Sequence, residues 1–173
     1  RTLNLLNRKR QDLEKGILDD IQRFIDLNPS LLRRRSLVLH SPRWHAGVLG
    51  IAASRLMRKY ARPVILIAVE DGTGKGSARS MEGINLHDAL AECRPYLESF
   101  GGHALAAGLQ IREEKIADFQ EAFETQIQRT ASEQSLTPAL QIDAELEFNA
   151  ITDALIDELE LLMPFGEDNP EPL

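Results

Sequence analysis

Residues 98–109 read ESFGGHALAAGL, in which two adjacent glycines precede a histidine. Gly101 and Gly102 can adopt positive φ, so that their N–H groups converge on an anion such as a phosphate. His103 supplies a further donor beside them. We place this stretch where a helix gives way to a strand. A helix C-cap glycine followed by a buried histidine is the alternative interpretation.

Residues 72–80, GTGKGSARS, are a second candidate for phosphate binding. They do not match the P-loop pattern, because Gly76 stands where a serine or threonine must follow the lysine. Ser77 and Ser80 still offer hydroxyl donors, and Arg79 offers a planar guanidinium for two phosphate oxygens. An ordinary hairpin with a surface arginine is the alternative.

Residues 41–50, SPRWHAGVLG, follow a predicted strand and open a helix. Ser41 or His45 can cap that helix, and the free N–H groups at a helix start attract anions. Trp44 and His45 together are suited to stack on a nucleobase or contact a phosphate. Trp44 as a core anchor and His45 as a helix cap are the alternative roles.

The remaining polar residues do not form a recognisable catalytic or metal site. No H-x-x-x-H or H-E-x-x-H pair occurs among the four histidines, which are His40, His45, His87 and His103. Cys93 is the only cysteine, which excludes an internal disulfide and fits a reducing cytoplasm. We predict that Cys93 is a buried hydrophobe rather than a nucleophile. The chain therefore offers binding groups without a metal-ligand set.

Charge is distributed unevenly along the 173 residues. Residues 1–112 carry 18 Lys and Arg against 11 Asp and Glu, whereas residues 113–173 carry 2 against 16. A polyanion can therefore bind the first two thirds even though the net charge is −7. No apolar run approaches the roughly 18 residues of a membrane span, so we expect no membrane contact. Because the sequence begins at Arg1 without an initiator methionine or signal peptide and ends abruptly after PEPL, we expect a part of a longer protein.

Alternating patterns predict an α/β fold, with a mixed β-sheet flanked by helices and preceded by a long connector helix. Helices are predicted over 2–27, 46–60, 84–100, 115–131 and from 151 onward, and strands over 36–40, 64–69, 75–80, 103–111 and 139–148. The run VILIAV at 64–69 is typical of a strand buried on both faces. Pro95 predicts a kink or break within 84–100.

The motifs WHAGVLGIAASRL, KGSARS and FGGHALAAGL, in this order, resemble the DHHA1 domain of the DHH phosphoesterase superfamily. More narrowly, they resemble RecJ-type single-stranded-DNA-specific exonucleases, and the resemblance covers nearly the whole chain. LNLLNRKRQDLEKGILDDI is similar to the helix that joins the family's catalytic domain to DHHA1. The resemblance implies a connector helix over 1–30, a DHHA1-like substrate-binding domain over 31–135, and a strand–helix–turn segment over 136–173. LMPFGEDNPEPL in this last segment is similar to the lead into an OB-type domain.

The function that this resemblance implies is 5′→3′ exonuclease action on single-stranded DNA in recombination and repair, in the cytoplasm. Hydrolysis in the family uses Mn²⁺ or Mg²⁺ held by a DHH domain. No D-H-H or D-x-D motif occurs here, so we expect this chain to be inactive alone and to hold no metal. The resemblance also implies that Ser77 and Arg79 hold a DNA phosphate. Gly101, Gly102 and His103 would face the scissile region, where His103 assists at most.

Two other functions remain open at this point. GGH motifs are shared with nanoRNases and cyclic-dinucleotide phosphodiesterases, which act on short oligonucleotides, although PFGEDNPEP weighs against these smaller enzymes. Alternatively, the acidic residues 113–173 form a protein-interaction domain that docks repair proteins.

Overall fold

Two units of structure follow each other along the chain, Arg1–Thr137 and Pro138–Leu173. The computed structural model describes residues 2–132, 136, 142–166, 169 and 171–172. The helices are α1 (Thr2–Leu27), α2 (Leu49–Tyr60), α3 (Leu86–Glu92), α4 (Ile116–Thr130) and α5 (Asp153–Glu160). The strands are β1 (Leu37–Ser41), β2 (Val64–Glu70), β3 (Thr73–Arg79), β4 (Ser99–Gly102) and β5 (Ala106–Arg112).

The first unit is built on one five-stranded sheet with the strand order β1-β2-β3-β5-β4. β1 and β2 run parallel, because α2 carries the chain back between them, and every other neighbouring pair is antiparallel. The predicted mixed sheet with flanking helices and a long first helix is confirmed.

The core lies on both faces of the sheet, and β2 contributes to each of them. Val64, Leu66 and Ala68 pack with α1 and α2, whereas Ile65, Ile67 and Val69 pack with α3 and α4. Alternate side chains of a strand point to opposite faces, so a strand covered on both sides must be apolar throughout. The prediction for 64–69 is therefore confirmed.

The first helix, α1, is 26 residues long, and only its second half packs on the sheet. Ile17, Ile21 and Ile25 are buried at helical spacing. Glu14 is also buried, and its Oε1 lies 2.7 Å from Arg55 Nε of α2. This ion pair joins the two helices. The long helix predicted over 2–27 is confirmed.

The helix predicted over 84–100 is wrong beyond its first half. α3 starts after Asn85, whose side chain accepts hydrogen bonds from the N–H groups of His87 and Asp88, and it ends at Glu92. Pro95 then sits in a single 3₁₀ turn, since proline has no N–H group to continue a helix. The following residues form the edge strand β4, and β5 begins only at Ala106.

Two expectations for the second unit also need correction. Residues 142–147 form no strand, and the rest of the predicted strand at 139–141 lies outside the described residues. The acidic helix predicted from 151 is the short α5, where Thr152 Oγ1 accepts a hydrogen bond from Leu155 N at 3.3 Å.

Candidate functional site

Strand β3 separates its small residues from its polar ones by strict alternation. Gly74, Gly76 and Ala78 face α3 and α4, where a methyl group on Gly76 would lie 2.7 Å from Leu109 Cδ1. Lys75, Ser77 and Arg79 consequently point to the opposite face. Gly74 and Gly76 therefore serve core packing, while the polar residues that alternate with the small ones are available to a ligand.

The polar residues of β3 belong to a part of the sheet that the helices leave partly uncovered. We call this surface the open face, and it consists of Lys75, Ser77 and Arg79 on β3, Ala106, Gly108 and Gln110 on β5, and Ser99 and Gly101 on β4. Each of these residues is half-buried or exposed, whereas their neighbours Ala107, Leu109 and Ile111 are buried on the other side. The open face joins residues from three strands on one surface.

The guanidinium of Arg79 lies over Ser77 on this open face. Its Nη1 donates to Ala78 O at 2.8 Å and to Ser77 Oγ at 3.2 Å. Within the described part of the chain, no carboxylate forms an ion pair with Arg79. Its remaining N–H groups are therefore available to an anion, for which a guanidinium offers two parallel donors.

Gly101 and Gly102 serve different purposes, and they do not form the predicted nest at a helix end. Both lie in β4, and the helix C-cap alternative is therefore also wrong. Gly102 has φ +142°, and a methyl group there would lie 2.4 Å from Ala106 O, so the hairpin requires glycine. A methyl group on Gly101 would meet no atom within 4 Å, so the fold itself does not exclude a side chain there.

A row of small residues crosses the open face. In register, Ser77 pairs with Gly108, which pairs with Gly101. Adjacent strands lie about 4.8 Å apart, so the row from Ser77 to Gly101 spans about 10 Å without a bulky side chain. A ligand bound by Arg79 can approach the backbone closely along this row.

His103 lies in the loop between β4 and β5, at the end of the sheet where β3 finishes. Its N–H donates to Ala106 O at 2.7 Å, and Ala106 pairs with Arg79. Ser80 N donates to Leu105 O and Leu86 N donates to Ala104 O, both at 2.9 Å, which holds the loop in place. The imidazole is exposed, so the buried-histidine alternative is wrong.

Ser80 is not part of the open face. Its side chain is buried, and its hydroxyl has no hydrogen-bond partner in the structure. Gly102 is not part of the open face either. It pairs with Ala107 and alternates with Gly101, so it faces the α3 side of the sheet with Phe100. Of the residues predicted from KGSARS and FGGH, the open face therefore unites Ser77, Arg79 and Gly101, with His103 at its end.

Trp44 and His45 precede α2, at the other end of β3. His45 Nδ1 accepts a hydrogen bond from Gly47 N at 3.1 Å and caps a 3₁₀ turn, so the cap role is confirmed. In the neutral imidazole the proton is then on Nε2, which is left as a donor. Trp44 is half-buried against the core under α1 and α2, as an anchor would be.

Two residues that shape this surface, Lys75 and Gly50, were not predicted. Lys75 shares the open face with Ser77 and Arg79, and the alternation of a strand through 75–80 already pointed to it. Gly108 completes the row of small residues. Gly50 of α2 lies against the Arg79 guanidinium, and no local pattern in the sequence signals that contact.

Two further observations bear on chemistry. Among the residues that the structure describes, no three His, Cys, Asp or Glu side chains are grouped so that they could hold a metal ion. Burial raises the pKa of the Cys93 thiol to about 11, with a smaller contribution from Glu92, and this agrees with the predicted core role of Cys93.

No described helix combines the length and apolarity that crossing a bilayer requires.

Comparison with known proteins gives consistent matches over the whole chain. Residues 35–129 match the DHHA1 domain model, and residues 142–173 match the RecJ OB domain model. The chain is 33% identical to the single-stranded-DNA-specific exonuclease RecJ of Bacillus subtilis and 34% identical to that of Escherichia coli. These alignments cover 98% and 99% of the chain but only 22% and 31% of the relatives, so the chain spans less than a third of their length.

A solved structure shows the same architecture. The crystal structure of RecJ from Thermus thermophilus in complex with Mn²⁺ superposes with a TM-score of 0.82 at 33% sequence identity. The superposition covers 99% of this chain and 25% of that protein. The corresponding Mg²⁺ complex gives a TM-score of 0.78.

Proposed function

Because this chain belongs to the DHHA1 domain family, we propose that it is the DNA-binding part of a RecJ-type single-stranded-DNA-specific exonuclease. In this proposal residues 31–135 hold the phosphate backbone, and residues 1–30 and 136–173 connect them to the rest of the enzyme. The family resemblance that the three sequence motifs indicated is confirmed. The relatives are named for activity on single-stranded DNA.

The observation that carries the proposal is that the Arg79 guanidinium lies beside the Ser77 hydroxyl and forms no ion pair with a described carboxylate. Arginine side chains on protein surfaces commonly pair with carboxylates, yet Arg79 has only Ser77 and a backbone carbonyl as acceptors among the described residues. A phosphate placed between them receives charge-assisted hydrogen bonds from the guanidinium and a further one from the hydroxyl.

The small residues beside Arg79 explain how a backbone of DNA reaches it. Gly108 and Gly101 leave the row next to Ser77 without side chains, so sugar and phosphate can lie directly on the sheet. His103 at the end of the same surface supplies one more donor to the strand. Such contacts position a phosphate backbone and carry no information on base sequence.

Hydrolysis, in this proposal, is carried out by parts of the enzyme outside this chain. The described residues include no group of three His, Cys, Asp or Glu side chains that could hold a catalytic metal. The contribution of this chain is to bind and orient the strand, which lowers the entropic cost of reaching the reactive geometry.

The test compares two arginines by fluorescence anisotropy of a 5′-phosphorylated single strand, measured at several salt concentrations. We expect Arg79→Ala to weaken binding about tenfold or more and to reduce the salt slope by about one. Arg94→Ala is the matched control, because Arg94 is exposed on the 3₁₀ turn after α3, away from the open face. Equal binding by both variants would refute the proposal. Competition by a dinucleotide as strong as that by a longer strand would favour the short-oligonucleotide relatives instead.

A further inference from the structure

A cavity of about 470 Å³ lies where β2 ends and β3 begins, next to the open face. Its polar and aromatic walls are Trp44, His45, Glu70, Asp71, Thr73 and Lys75. Binding pockets for small organic groups are commonly about 300–1,000 Å³. The cavity is therefore large enough for a nucleobase.

Lys75 connects this cavity to the phosphate-binding residues. It lines the cavity, and it also shares the face of β3 with Ser77 and Arg79. Side chains on one face of a strand recur about every 6.6 Å, so the three residues form a short track. A strand of DNA held at Arg79 can follow this track into the cavity.

The charges inside the cavity differ from those on the track. Glu70 and Asp71 are exposed carboxylates, and neither forms an ion pair within the described ranges of the chain. They repel a phosphate but accept hydrogen bonds from N–H groups. Carboxylates of this kind pair with the exocyclic amino group of cytosine, and adenine and guanine also carry such groups. Thymine has no exocyclic amino group and flanks its single N3–H with two carbonyl oxygens, which the carboxylates repel.

The position of Asp71 is held by the turn between β2 and β3. Asp71 has φ 49° and Gly72 has φ 73°, which are values of a tight two-residue hairpin. Glu113 N also donates to Gly72 O at 2.9 Å, which ties this turn to the end of β5. The carboxylate therefore projects from a backbone that neighbouring strands constrain.

We infer that this cavity is a nucleobase subsite that prefers bases with an exocyclic amino group over thymine. The inference rests on the proposed function, since it takes the strand on Arg79 as the source of the base. Trp44 supplies an aromatic wall, Lys75 contacts the adjoining phosphate, and the two carboxylates accept from the amino group.

The experiment measures the ratio of affinities for oligodeoxycytidine and oligothymidine of about 12 nucleotides, a length within the usual range of such sites. We expect the wild-type chain to bind oligodeoxycytidine about three- to tenfold more tightly. In the double variant Glu70→Gln with Asp71→Asn the ratio should fall towards one. Asparagine tolerates the positive φ of position 71, so the turn is kept.

Controls separate the subsite from the phosphate-binding role. Glu82→Gln removes an exposed carboxylate in the loop before α3 and should leave the ratio unchanged. Arg79→Ala should weaken binding of both oligonucleotides equally. If the double variant keeps the wild-type ratio while Arg79→Ala weakens both, the subsite is overturned and the proposed function stands. If Arg79→Ala weakens neither, the proposed function fails, and the subsite with it.

Discussion

Gly50 and Arg79, 29 residues apart in the sequence, are in direct contact in the fold. A methyl group on Gly50 would lie 2.7 Å from Arg79 Nη2 and 3.2 Å from Ser77 Oγ. Glycine at the start of α2 therefore leaves the space that the guanidinium occupies on the open face.

Gly50→Ala should separate binding from stability. The clash involves the far end of a flexible side chain, so Arg79 can move away, and alanine favours the helix by up to about 1 kcal/mol. We expect unchanged or slightly higher stability in urea unfolding, together with weaker binding of single-stranded DNA. Ile51→Ala, at an exposed position of the same helix, is the control. Unaltered binding by Gly50→Ala would show that the position of the guanidinium is unimportant.

The adjacent glycines of β4 should differ in how strongly the same substitution destabilises the protein. Gly102→Ala places a methyl group against Ala106 O in a backbone conformation that L-residues rarely adopt, so we expect a loss of about 2 kcal/mol or more. Gly101→Ala meets no protein atom and should leave the free energy of unfolding nearly unchanged.

Binding measurements on the same pair complete this test. If the DNA backbone lies on the row from Ser77 to Gly101, Gly101→Ala should weaken binding although the protein is as stable as wild type. Full affinity in a stable Gly101→Ala variant would mean that the ligand does not reach β4.

The buried carboxylate of Glu124 is predicted to be structural. It accepts hydrogen bonds from Arg35 N at 2.8 Å, Ser36 N at 2.9 Å and Ser36 Oγ at 2.5 Å, and so ties α4 to the start of β1. Glu124→Ala removes the acceptor of these three hydrogen bonds from the protein interior and should cost about 3 kcal/mol of unfolding free energy. Glu121→Ala, which removes an exposed ion pair with Arg34 one turn away, should cost less than about 1 kcal/mol.

Cys93 should be almost unreactive in the folded chain. Its pKa is raised to about 11, whereas an unfolded thiol ionises near pH 8.5, so the folded state keeps the proton longer. The contribution of the protonated Cys93 thiol to the free energy of unfolding is therefore fully present below about pH 8.5 and is lost as the pH rises towards 11. Alkylation at pH 8 should be slow for native protein and fast in urea. Rapid labelling of the native thiol would contradict its burial.

Local patterns in the sequence were sufficient for the fold class and for several elements. Residues 64–69 of β2 are apolar throughout because helices cover both faces of the strand. Ile17, Ile21 and Ile25 recur at helical spacing because one face of α1 packs on the sheet. Both patterns repeat over a few residues, so they are visible in the sequence. Arg79 and Ser77 were recognisable because their chemistry does not depend on where the chain places them.

The strand β4 and its use of glycine were decided by tertiary structure. SFGG has no alternation of apolar and polar side chains, and its conformation comes from pairing with β5 and from the fixed end of α3. Register alone places Gly101 in line with Gly108 and Ser77, and Gly102 opposite Ala107. The sequence by itself indicated which residues have the chemistry to be candidates for phosphate binding. Only the packing of strands that are distant along the chain decided which of them share a surface, because backbone pairing acts between segments that local periodicity does not relate.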